Sequence, residues 1–167
     1  GLQGRLHVTQ VESCRSLASR VSELTGQSGL YALVNNAGIA IGGPLECLEL
    51  DEWRKQFEVN LFGTIAVTRS LLPHLRQASN SRVINIGSIC GVVSFPFAGP
   101  YCASKHAIDA MTLALRGELR PWNIQATVIA PGLVNTDLWK NVGQATTAQL
   151  ESFDAQQREW YGSRIER

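Results

Sequence analysis

Short apolar runs alternate along this chain with longer stretches whose apolar residues recur at helical spacing. Alternation with period two marks a strand, and a period of about 3.6 marks an amphipathic helix. On that pattern residues 6–9 form a short strand. Residues 11–24 form a helix with Val11, Leu17, Val21 and Leu24 along one face. Gly26-Gln27-Ser28-Gly29 makes a turn into a buried strand at 30–35, which ends in Asn35-Asn36-Ala37-Gly38. A loop around Pro44 leads to a long helix at 50–72, with Asp51 as its expected cap. Residues 81–86 form a second buried strand, followed by a loop rich in Gly, Phe and Pro that runs to Pro100. A helix at 101–119 is stopped by Arg120-Pro121. A strand at 124–130 is broken by Pro131-Gly132, and residues 136–167 read as irregular helix.

Strands separated by helices predict βαβ units, and therefore an α/β fold with a doubly wound parallel sheet. Ligands of such sheets bind beyond the carboxyl ends of the strands. The loops after Asn35, Ile86 and Ala130 are thus the ones to inspect.

Composition narrows the picture. A chain of 167 residues with 44% apolar and 17% charged residues is expected to be one globular domain. Its net charge of +1 gives no electrostatic basis for binding nucleic acid or an anionic membrane. No apolar run is long enough for a membrane span, and no signal pattern opens the chain. Cys14, Cys47, Cys90 and Cys102 lack metal-ligand spacing and read as reduced thiols, so a cytoplasmic protein is expected. His7, His74 and His106 are too dispersed for a metal site.

The candidate chemistry starts at Tyr101-Cys102-Ala103-Ser104-Lys105. On a helix, Tyr101 and Lys105 lie one turn apart on one face. A nearby ammonium favours the phenolate and is expected to lower the phenol's pKa, suiting it to exchange a proton with a carbonyl or alcohol oxygen. The same residues also make an ordinary helix start. Ser88 lies just past the strand at 81–86, where its hydroxyl can donate to a developing oxyanion; a capping serine is the plainer reading. The small residues of Asn35-Asn36-Ala37-Gly38 let a flat ligand approach the backbone, and Asn can bridge neighbouring strands. In Pro131-Gly132-Leu133-Val134-Asn135-Thr136, exposed amides and the Thr136 hydroxyl can bind a carboxamide or phosphate. Asn60 stands mid-helix among Val59, Leu61 and Phe62, which suggests a local kink holding a water.

Taken in this order, the Asn-Asn-Ala-Gly loop, the mid-helix Asn, the strand-end Ser, Tyr-x-x-x-Lys and Pro-Gly-x-Val-x-Thr resemble the short-chain dehydrogenase/reductase family. The resemblance covers nearly the whole chain from Leu6. The wording around residues 57–63 and 116–124 looks closest to its retinol dehydrogenase-like and 17β-hydroxysteroid dehydrogenase-like branch. It implies a Rossmann-like fold, NAD or NADP as cofactor, and Tyr101 as general acid/base. It further implies that Lys105 tunes Tyr101 and holds the nicotinamide ribose, and that Ser88 polarises the carbonyl. Asn60 would support a water relayed to Lys105. Val8, Asn35, Ala37 and Gly38 would border the adenosine side, and Pro131, Val134 and Thr136 the nicotinamide. An apolar alcohol or carbonyl is the implied substrate, contacted by Ile39, Ile89, Phe95, Phe97, Leu138 and Trp139, whose alternative use is core packing. A homodimer or homotetramer is implied through the helices at 50–72 and 101–119.

Departures from the family pattern matter as much. The Gly-rich phosphate loop is missing, and so are the first strand-helix-strand unit and the C-terminal strand and helix. His7-Val8 stands where the family usually has Asp-Val. Residues 1–167 therefore read as one partial Rossmann domain of a chain cut at both ends. Two other classes stay open: a non-catalytic remnant or dimerisation module, and a sugar-nucleotide epimerase or dehydratase, which the Asn-Asn-Ala-Gly loop disfavours. Without the helix N-terminus that receives pyrophosphate, these 167 residues alone are expected to bind a dinucleotide poorly; micromolar affinity in a titration would refute that.

Overall fold

The structure is a computed structural model, and it describes residue 4, residues 6–132 and residues 153–165. Helix α1 (Val11–Thr25) leads to strand β1 (Ala32–Asn35). Helix α2 (Leu50–Phe57) runs through a π-helical turn (Glu58–Gly63) into α3 (Thr64–Gln77). Strand β2 (Arg82–Ile86), helix α4 (Gly99–Glu118) and strand β3 (Gln125–Ile129) follow, and α5 (Ala155–Ile165) ends the described chain. The three strands pair in parallel in the order β1-β2-β3, with Asn35 opposite Asn85 and Asn85 opposite Val128. This is the predicted Rossmann-like α/β arrangement.

One apolar core lies under the sheet. Leu33, Val83 and Ala126 share a face and pack with Cys14 of α1, with Val67, Leu71 and Leu75 of α3, and with Leu119 and Ile124. Burying an aliphatic side chain of this kind stabilises by roughly 1.5–3 kcal/mol each. On the opposite face Val34 and Ile129 remain about half exposed, at 55% and 50%. The helical layer thus covers one face of the described sheet.

The structure redraws several elements. Residues 6–9 form no strand: Gln10 donates its amide to the His7 carbonyl at 3.0 Å, which closes a turn into α1. β1 begins at Ala32 rather than residue 30, because the Leu30 amide is taken by the His74 carbonyl. Gly29 is needed there twice over. Its φ is +70°, and a Cβ would come within 2.6 Å of Ala78 N and His74 O. The helix predicted at 50–72 is divided by the π turn and continues past Pro73 to Gln77. Its cap is Glu49, reciprocally bonded with Glu52, and not Asp51, which pairs on the surface with Arg54 at 2.6 Å. α4 starts two residues before Tyr101, with Pro100 in the first turn, where its missing N–H costs nothing.

A buried polar chain crosses the carboxyl ends of β1 and β2. Asn35 Nδ2 donates to Thr68 Oγ1 (3.0 Å) and to Asn85 Oδ1 (2.8 Å). Asn85 Nδ2 donates to Thr112 Oγ1 (2.8 Å), which in turn donates to the Ile108 carbonyl (2.7 Å). Two strands and two helices are thereby joined in a region where unpartnered polar atoms are costly. Asn85→Ala is expected to destabilise the protein by about 2–4 kcal/mol, because the half-buried Asn35 and the fully buried Thr112 lose a partner. Urea denaturation against wild type measures this.

Candidate active site

The face of α4 that carries Tyr101, Ser104, Lys105, Ile108 and Thr112 is buried along its length. Tyr101 is 5% exposed and Lys105 is 7% exposed. The Lys105 ammonium donates to the carbonyl of Ile86, the last residue of β2, at 2.8 Å. Its Nζ lies 5.7 Å from the centre of the Tyr101 ring. Ser88 stands two residues beyond β2. Its Oγ accepts from the Cys90 amide at 3.1 Å, which caps the short turn Ile89–Gly91.

The electrostatics differ from the sequence expectation. Tyr101 is held above the ordinary phenol value, and burial is the main cause. Cys90 and Cys102 push the same way, while a hydrogen bond with Ser88 opposes them. The Lys105 ammonium is aimed at the strand end and is itself held below its ordinary value by burial. Asp109 and Cys90 act to support the ammonium.

Asn60 lies in the π turn and is 2% exposed. Its Nδ2 donates to the Ile39 carbonyl (3.0 Å) and to Ser104 Oγ (3.0 Å), and its Oδ1 accepts from the Ile39 amide (2.9 Å). A π turn stands where the kink was expected, and the Asn60 side chain locks the loop after β1 onto α4. Ser104 passes the link on by donating to the Tyr101 carbonyl at 2.8 Å. Sequence reasoning missed Gln56, which is fully buried and pins the same loop through the Ile41 amide (2.7 Å) and the Ile39 carbonyl (2.8 Å). Its signal was available: a Gln one turn before Asn60.

The other expected residues fall as follows. Gly38 sits between two site residues: a Cβ there would lie 3.4 Å from Asn60 Oδ1 and 3.9 Å from Lys105 Nζ. Asn36, Ala37 and Gly38 are exposed at the end of β1, whereas the Asn35 amide is used inside the sheet. Val8 packs on Gly63 and borders a cavity of about 350 Å³ beside β1 that Asn35 and Ala37 also line. The Pro131 carbonyl accepts from the Ile89 amide at 2.9 Å, so the third loop is tied to the Ser88 loop. Val134, Thr136, Leu138 and Trp139 lie outside the described residues. Ile89, Val92, Val93 and Phe95 expose apolar surface beyond Ser88. Phe97 meets Tyr161 of α5 edge-on, with ring centres 6.3 Å apart.

Among the described residues no helix is long and apolar enough to cross a membrane. No three His, Cys, Asp or Glu side chains among them are grouped to hold a metal ion.

A parallel α/β sheet whose strand-end serine faces a buried Tyr-x-x-x-Lys helix defines a class, and comparison with known proteins identifies it. The sequence profile of the family described as short chain dehydrogenase matches residues 4–147. Uncharacterized oxidoreductase YusZ of Bacillus subtilis is 38% identical over 136 residues, covering 80% of this chain and 49% of its own. Retinol dehydrogenase 16 of Mus musculus is 36% identical over 162 residues, covering 95% and 50%. A short chain dehydrogenase from Burkholderia cenocepacia, solved in complex with NADP, superposes with a TM-score of 0.75 at 32% identity, covering 84% of this chain and 59% of that one. The chain belongs to the short-chain dehydrogenase family. It spans about half the length of the curated relatives it matches.

Replacing Asn60 removes three hydrogen bonds that hold the first loop to α4. Asn60→Ala is expected to cost about 2–4 kcal/mol in thermal or chemical unfolding. It should also raise hydrogen exchange at the Ile39 amide more than at β2.

Proposed function

We propose that this chain carries the proton-transfer site of an NAD(P)-dependent oxidoreductase that interconverts an apolar alcohol and its carbonyl. The observation that carries the reading is convergence. Ser88, Tyr101 and Lys105, which come from two segments, share one buried corner at the carboxyl end of β2, with Asn60 and Gly38 alongside.

In this reading the Tyr101 hydroxyl gives a proton to the substrate oxygen during reduction and takes it back during oxidation. Burial holds the phenol above its ordinary value, so the protonated hydroxyl is the form that meets the substrate oxygen at neutral pH. Ser88 donates a second hydrogen bond to the same oxygen. Lys105, fixed by the Ile86 carbonyl, contributes positive charge beside the phenol. The nicotinamide cofactor, when bound, supplies or accepts the hydride.

The residues present fit such a cofactor. A Cβ at Gly38 would touch Asn60 Oδ1 (3.4 Å) and Lys105 Nζ (3.9 Å), so the glycine keeps this exposed loop edge clear beside both. Lys105 and Tyr101 would hold its ribose. Ala37, Gly38 and Pro131 would line its path, with Val8 and Asn35 behind the first loop and Val134 and Thr136 completing the third. The NADP bound to the Burkholderia cenocepacia relative supports this assignment. Exposed Ile89, Val93 and Phe95 beside Ser88 support an apolar substrate, as does the relation to a retinol dehydrogenase. Assembly into a homodimer or homotetramer through the α2–α3 and α4 helices belongs to the same reading.

Tyr101→Phe in the full-length protein keeps the ring's packing and deletes the proton. Turnover of an apolar alcohol or ketone is expected to fall by roughly 10²–10⁴-fold, with cofactor binding retained. Wild-type turnover in that variant would overturn the proposal.

A further inference from the structure

We infer that Asp109 is a positioning residue of this site, the counter-charge beneath the Ser88 loop that keeps Lys105 an ammonium directed at the end of β2. The inference rests on the function proposed above and concerns a residue that sequence reasoning did not single out.

Geometry carries it. Asp109 stands one turn after Lys105 on α4, so the two side chains share a face. Ser88 is bracketed by Gly87 and Gly91, and both glycines lie against the Asp109 carboxylate. A Cβ at Gly91 would come within 2.8 Å of Asp109 Oδ2 and 3.1 Å of the Lys105 carbonyl. One at Gly87 would meet Val128 Cγ1 at 2.5 Å and Asp109 Oδ1 at 3.3 Å. The loop that presents Ser88 therefore covers one side of the carboxylate. Its Oδ1 is buried and makes no hydrogen bond among the described residues.

A carboxylate in that position is a liability to the fold. A buried acceptor without a partner costs stability, and Asp is a poor helix-interior residue. Asn would fill the same space without the charge, so the charge itself needs a use. Among the described residues, His106 and then Lys105 act on Asp109 favourably. His106 is exposed and has its ring nitrogen on the Cys102 carbonyl, whereas Lys105 is buried beside the reacting groups. Among the described residues, the groups facing Lys105 are Asp109 and Tyr101 from its own helix and Cys90 from the loop, while β2 supplies the neutral Ile86 carbonyl. Of these, Asp109 is by its nature the strongest acid, and burial pushes both the Cys90 thiol and the Tyr101 phenol further up. Burial also raises the Asp109 carboxyl above its ordinary range. The sign is then set. The folded protein holds the Asp109 proton more tightly than the unfolded chain does. That contribution to stability is complete below about pH 4 and is lost as the pH rises through the raised folded value.

The test compares Asp109→Asn with wild type, in the full-length protein, by two readouts. In thermal unfolding, the melting temperature of D109N relative to wild type should rise by about 1–3 °C between pH 4 and pH 8. That gain should be larger in a Lys105→Met background, where the carboxylate has lost its cation. In kinetics, the alkaline limb of kcat/KM should move down by about half to one pH unit, because Lys105 then faces burial with less opposing charge. A melting difference independent of pH and of Lys105, with an unmoved pH profile, would overturn the inference and leave Asp109 a space-filling residue. So would failure of both D109N and Asp109→Ser to fold. Tyr101→Phe measured alongside separates the two levels. If it turns over normally, the proposed function fails, and the thermal comparison still decides the role of Asp109.

Discussion

Asn85 is the residue on which the rest of the arrangement depends. It is 1% exposed at the carboxyl end of the middle strand. Its amide reaches sideways to Asn35 on β1 and downward to Thr112 on α4. Water cannot satisfy these groups, so each must face its partner or pay an unfavourable desolvation. That requirement sets the height of α4 against β2, and thereby the height of Lys105 and Tyr101, two and three turns back along the helix. Gln56 and Asn60 apply the same constraint to the loop after β1, and Ser104 connects them to the backbone of Tyr101. The site is thus held by neutral, fully used amides and hydroxyls, which impose direction without adding charge.

Charge enters this frame at a few places, and there burial and Coulomb attraction compete. For Tyr101 burial prevails. For Lys105 burial pulls against Asp109 and Cys90. The Ile86 carbonyl captures the ammonium at 2.8 Å, and its Nζ lies 5.7 Å from the phenol ring's centre. The surface ion pairs Arg15–Glu12, Arg20–Glu23 and Arg54–Asp51 are well exposed and contribute little by comparison.

Much of this was legible in the chain itself. Periodicity placed β1, β2, β3 and α4 within two residues at most ends, because an amphipathic helix or buried strand repeats its own signal. It failed at residues 6–9, where an apolar run as short as a strand finds no neighbour and closes a turn instead. It also failed within 50–72, where no local rule distinguishes a π turn from an α turn, and where the extra residue is stabilised by Asn60 bonding a loop 21 positions earlier. Ser88, Tyr101 and Lys105 could be named from spacing and strand position. Gln56 was marked by its place one turn before Asn60; Ser104 and Asp109 had no such mark, since their use lies in contacts between distant segments.

By itself, then, the amino-acid sequence determined the alternation of strands and helices, the parallel sheet it implies, and the Tyr-x-x-x-Lys pair on one helix face. These follow from local periods and from the geometry of a single helix. The tertiary structure decided what the pair experiences. Burial under the Ser88 loop raises the phenol, the Ile86 carbonyl claims the ammonium, and the Asp109 carboxylate lies between two glycines. Desolvation and the direction of a hydrogen bond depend on which segments meet, and residues 39, 60, 86, 88 and 101 meet only in the folded chain.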